Sequence, residues 1–166
     1  GYVGAPPEIH QRLLSQRLAN DLYGATFVQR ALAQFLRYGW LKSHMRRVLP
    51  VYRERRDALL TALEKHMPAG VTWTTPQGGL SNWVTLPHDN MMAIYQRALQ
   101  HGLAFTPGSA FVIDPQIANR HLRLCFSTQP AEEFDALIEL LADLIRTQGD
   151  RDQTTENLSM AWTPVT

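Results

Sequence analysis

The chain has 166 residues, 45% of them hydrophobic and 19% charged, which is enough for a core of ordinary size. A net charge of +1 leaves no global field to attract nucleic acid or an anionic bilayer, although the basic residues are lopsided, with 14 Arg and 2 Lys. One cysteine excludes an internal disulfide framework and a cysteine-based zinc site; with no bilayer-length apolar run and no evident leader, a reducing, cytoplasmic setting is expected.

Pro6 and Pro7 precede a helical pattern over residues 8–20, with Leu13, Leu14, Leu18 and Leu22 at the 3.6 period. A second pattern, 26–38, places Phe27, Val28, Ala31, Leu32 and Phe35 on one face and ends at Gly39. A third, 41–67, carries the stripe Leu41, Met45, Val48, Tyr52, Leu59, Leu60, Leu63 and Met67, and Pro50 should kink or break it near 46–49. Then the period changes. Residues 71–75 read as a strand, "PQGG" (76–79) as a turn, and "LSNWVTLP" (80–87) as a second strand. Asp89 or Asn90 can cap a helix that runs to His101, with Gly102 ending it. "LAFTPGSAF" (103–111) is a short strand entering a Pro-Gly turn, and "HLRLCFS" (121–127) alternates as a half-buried strand. Pro130, Glu132 and Glu133 suit the start of a last helix whose stripe is Phe134, Leu137, Ile138, Leu141 and Ile145. From Thr147 the chain is polar and aperiodic and reads as a mobile tail. The expected class is α+β, with a small, mainly antiparallel sheet and helices on one face.

Arg123 is the residue that asks for an explanation. A guanidinium inside a half-buried strand is costly without an anion to meet it. Asp114 or a glutamate could supply that anion, or a ligand carboxylate could, since a planar fork on a rigid strand suits bidentate capture. The other motifs read more plainly. "PQGGL" lacks the helix and Lys-Ser/Thr pair of a phosphate loop. The arginines at 46, 47, 53, 55 and 56 read as a solvated helix face partnered by Glu54 and Asp57. His44 and His66 read as surface residues, Trp83 and Cys125 as packing residues, and no histidine has metal-ligand spacing.

Five motifs occur in one order: "GYV.AP", "YRERRDALLTAL", "W..P.GGL..WV.LP", "GLAFTPGSAF" and "LRLCFS". Over residues 1–146 this series resembles the C-terminal part of class I/II, fold-type I, pyridoxal-phosphate-dependent aminotransferases. The resemblance is nearest to 2-aminoadipate-type and multi-substrate enzymes, and to GntR/MocR-type regulators that fuse a winged helix to an aminotransferase-like domain. It implies the small domain of such a protein, with residues 1–40 the end of a large-domain strand and connecting helices, 41–146 the small domain, and 147–166 the tail. It implies that Arg123 binds the substrate α-carboxylate, with Asn82, Pro107 and Gly108 as candidates for the substrate mouth and Trp83 as a further one for which core packing is the preferred reading. It also implies pyridoxal 5'-phosphate as cofactor, anchored by a Schiff-base lysine upstream of Gly1. Lys42 and Lys65 both lie in a charged helix outside the family's lysine setting, so no catalytic, cofactor-binding or metal-ligating residue is expected in this chain, and the chain alone is expected to be inactive. The implied activity of the intact protein is amino-group transfer between an α-amino acid and a 2-oxo acid, by a homodimer. The alternative is an effector-sensing domain of a DNA-binding regulator, meeting nucleic acid only through an N-terminal domain.

Overall fold

The computed structural model describes residues 3–21 and 24–161, with side chains outside 115–116 and 150–161; among these residues are six α-helices and a four-stranded sheet. The expected features at Gly1 and Leu22 lie outside the described residues. The α+β class expected from the pattern is the one observed, with every strand pair antiparallel. The chain forms two compact units, residues 1–47 and 48–166.

The first unit holds α1 (Pro7–Asp21), α2 (Thr26–Arg37) and the start of α3 (Trp40–His66). Gly39 separates α2 from α3 at φ +71°, a backbone conformation that β-carbon sterics disfavour for other residues. Neither α1 nor α2 buries a residue. The break expected at Pro50 does not occur, because α3 continues through it. A proline removes only one N–H, here the donor to the Arg46 carbonyl, and the turns on either side can hold the helix together. The division between the two units nevertheless falls in that same turn.

The second unit contains the sheet: β1 (Thr72–Trp73), β2 (Ser81–Thr85), β3 (Thr106–Pro107) and β4 (His121–Cys125), in the order β1-β2-β4-β3. Alternation decides its two faces. Asn82 and Val84 on β2, with Leu122 and Leu124 on β4, are buried. They share a core with Leu59 and Leu63 of α3, Met91, Ile94 and Ala98 of α4 (Met91–Gln100), and Phe134, Ile138 and Leu141 of the last helix. The intervening residues Ser81, Trp83, Thr85, His121, Arg123 and Cys125 occupy the other, more open face.

Two ends are tied differently from expectation. No side chain of Asn90 caps α4. Instead Asn119, just after α5 (Pro115–Ala118), accepts from Met92 N–H through Oδ1 at 3.0 Å and from Met91 N–H through its carbonyl at 3.0 Å. A remote asparagine thus satisfies the helix's orphan donors, which no local spacing could reveal. The last helix, α6, spans Phe134–Ala161, so its backbone continues through the segment from Thr147 that composition reads as a tail. Extending a formed helix needs far less than nucleating one, so polar residues can prolong it without a packed face.

Asp135, in the first turn of α6, accepts from Lys65 Nζ at 2.9 Å and lies 2.9 Å from His66 Nε2. His66 is therefore not the surface residue its setting suggests, since its side chain is 11% exposed. Bonding to Lys65 first, and to His66 second, lowers the Asp135 pKa below the usual 3.8. A depressed carboxylate pKa adds stability that is complete above pH 3.8 and is lost as pH falls through the folded-state value. Thermal melts should therefore show wild type losing its small advantage over Asp135→Asn as pH drops below 3.8, and parallel curves for the two proteins would exclude this contribution.

Candidate carboxylate-binding site

Arg123 stands on the open face of the sheet, with Trp83 across β2 and Thr106 across β3 as its register partners. Its Nη2 donates to Thr106 Oγ1 at 3.2 Å, and its Cζ lies 4.8 Å from the centroid of the Phe111 ring. Nε is buried with no hydrogen-bond partner. Among the described residues the ion pairs join other arginines, a lysine and a histidine to Asp57, Asp89, Asp135 and Asp143, and none includes Arg123. No ion pair among the described residues, then, neutralises this half-buried guanidinium, an arrangement that favours an external anion.

The same arginine lines a half-open cleft of about 380 Å³, together with apolar Phe105, Leu124, Phe134 and Ile138, which also belong to the core, and polar Thr106 and Thr128. Its volume lies in the range of small-molecule pockets. Cys125 also lines the cleft; it is exposed, with Sγ 3.1 Å from Ser127 Oγ, rather than packed as its strand pattern suggested.

The other sequence candidates divide. Pro107 is in β3, half-buried and paired in register with Leu122. Gly108 is buried, and a β-carbon there would sit 2.4 Å from the Ala118 carbonyl oxygen and 2.8 Å from that of His121, so its absent side chain makes room for backbone. Asn82 belongs to the opposite, buried face, donating through Nδ2 to the Thr74 carbonyl. Trp83, expected in the core, is the β2 side chain that shares Arg123's face. It stacks on His121 at 5.4 Å and 28° and meets Phe111 edge-on at 5.7 Å and 74°. Strand parity could have told the two apart: Val84 and Leu86 are the apolar positions facing in, so Asn82 faces in with them and Trp83 faces out. Thr106 and Phe111 carried no such signal, because their approach depends on how β3 and its turn fold back.

Of the arginine run, Arg55 donates to the Ser127 carbonyl and Arg56 bonds Asp57 and the Pro76 carbonyl. These two hold loops of the second unit rather than forming a wholly solvated face. Among the described residues no group of three or more acid, histidine or cysteine side chains could hold a metal ion.

The profile described as aminotransferase class I and II matches residues 1–141. The chain belongs to the class I and II aminotransferase family. This aminotransferase-family chain is 35% identical, over 147 residues, to aromatic-amino-acid aminotransferase 1 of Thermococcus litoralis, which covers 88% of the chain and 35% of that protein. An uncharacterized HTH-type transcriptional regulator of Bacillus subtilis is 27% identical, over 91% of the chain and 31% of its own length. Among solved structures, the multiple substrate aminotransferase of Thermococcus profundus aligns with TM-score 0.79 and 33% identity, over 89% of this chain and 36% of that one. The α-aminoadipate aminotransferase LysN of Thermus thermophilus, complexed with N-(5'-phosphopyridoxyl)-L-leucine, aligns with TM-score 0.71 and 30% identity. The chain therefore spans about a third of the length of the relatives it matches.

The family implies pyridoxal phosphate, but the lysines of this chain do not fit the anchoring role. Lys65 is 59% exposed and spends its ammonium group on Asp135, and Lys42 is exposed on α3. A Schiff-base lysine needs a desolvated or electropositive pocket, and neither has one.

Proposed function

We propose that this chain is the C-terminal, small-domain portion of a pyridoxal-phosphate-dependent aminotransferase, in which Arg123 grips the α-carboxylate of an amino acid or 2-oxo acid. The observation that carries the proposal is a half-buried guanidinium on an open sheet face, lining a cleft and joined to no acid by an ion pair among the described residues. The cofactor, its lysine and the chemistry of proton transfer belong to other parts of the protein. This chain contributes binding and orientation of the carboxylate end. Pro107 and Gly108 shape the turn beside it; Asn82 acts from beneath the sheet as a core residue. The intact protein is proposed to be a homodimer in the cytoplasm, with residues 1–40 as the end of a large-domain strand and connecting helices, 41–146 as the small domain and 147–166 as a polar tail.

A second reading is supported by the regulator relative from Bacillus subtilis: the same pocket would sense an amino acid and control DNA binding through a separate domain. One experiment separates the two. The full-length protein carrying this chain is loaded with pyridoxal phosphate and given a panel of L-amino acids with 2-oxoglutarate. Catalytic release of glutamate and the matching 2-oxo acid supports the enzyme. An amino-acid-dependent change in DNA retardation without turnover supports the regulator, and neither response removes both readings.

A further inference from the structure

We propose that Phe111 is the positioning residue of the carboxylate site, restraining the Arg123 guanidinium without using the Nη N–H groups that a ligand would take. The proposal rests on the reading of Arg123 as the carboxylate clamp. An arginine side chain has many rotamers, and one poised for a ligand must be restrained before the ligand arrives. An acidic neighbour would restrain it, but would occupy the same donors that a carboxylate needs. An aromatic face restrains it through the ring quadrupole and covers only the flat side of the cation. Here Cζ lies over the Phe111 ring, 4.8 Å from its centroid, the Thr106 hydroxyl takes one N–H of Nη2, and no acid pairs with the group among the described residues.

Phe111 is itself held. Its N–H bonds the Gly108 carbonyl at 2.9 Å, closing the 3₁₀ turn Gly108–Ala110. Its ring meets Trp83 edge-on, Trp83 stacks on His121, and His121 Nδ1 lies 3.0 Å from Thr85 Oγ1. A line of ring contacts therefore runs across the open face and ends at the guanidinium. Phe111 is also 48% exposed and is absent from the core. A half-exposed side chain outside the core contributes less to folding than a buried one, and among the described residues the ring contacts of Phe111 are those with Trp83 and Arg123.

The test uses the full-length protein and 3-phenylpropionate, a plain carboxylate, with binding followed by calorimetry and folding by thermal melts. Phe111→Leu and Phe111→Met, which keep an apolar side chain without a ring, should each raise the dissociation constant about five-fold at an unchanged melting temperature. Phe111→Tyr and Phe111→Trp should stay within about two-fold of wild type, because either ring can face the cation. Leu and Met variants that bind as tightly as wild type, or aromatic variants as weak as they are, overturn the proposal. Arg123→Gln is the reference arm. If it loses binding while the Phe111 variants do not, the positioning role alone fails. If wild type does not bind, or Arg123→Gln binds equally well, the carboxylate reading fails and the positioning role fails with it.

Discussion

Replacing Arg123 by glutamine in the full-length protein is expected to weaken carboxylate binding about a hundred-fold while the melting temperature falls by only a few degrees. The asymmetry follows from what the side chain touches. Towards the protein it has one hydroxyl at 3.2 Å and one ring face, contacts that together contribute about 1–2 kcal/mol to folding. Removing a cation whose Nε is already buried without a partner also relieves a cost. Towards a ligand the fork offers paired, charge-assisted hydrogen bonds, and losing one partner of such a pair costs about 2–5 kcal/mol. The decisive measurement compares an acid with its primary amide in both proteins. Wild type should prefer the acid strongly and the glutamine variant should not. An unchanged preference would remove Arg123 from the site.

The opposite balance is expected at Gly108. A β-carbon there meets two backbone carbonyl oxygens, at 2.4 and 2.8 Å, and the His121 β-carbon at 3.0 Å. Side-chain rotation cannot relieve contacts with backbone, so β4 or α5 must shift. Gly108→Ala should destabilise the second unit by about 3 kcal/mol, lowering its melting temperature by roughly 6–12 °C. Gly78→Ala is the control, because nothing lies within 4 Å of a β-carbon built there. Equal melting temperatures for the two variants would mean that the turn yields easily.

Much of this arrangement could be read in the chain itself. The period changes near residue 70, so the shift from helices to strands was legible, and the alternation around Leu122 and Leu124 defined which face is buried. Arg123 stood out because physics makes an unpaired strand arginine conspicuous. What was not legible depends on contacts distant in sequence. Asn119 caps a helix that begins 28 positions before it, and Phe111 reaches Arg123 only after β3 pairs with β4. His66 and Asp135 meet because the end of α3 and the first turn of α6 come together. Thr147 is different: the reading as a tail weighed polarity, whereas the backbone followed helix propagation.

The first unit carries a consequence of its own. Phe27 is 86% exposed, Val28, Leu32 and Leu36 follow it along α2, and Leu13, Leu14 and Leu18 are similarly uncovered on α1. Helices of 15 and 12 residues with no buried side chain gain little beyond their own hydrogen bonds, which is marginal in water. Outside a longer protein their persistence is therefore conditional. With this chain alone in dilute solution, amide protection should be lost in these two helices before the sheet, and association through their uncovered leucines should rise with protein concentration.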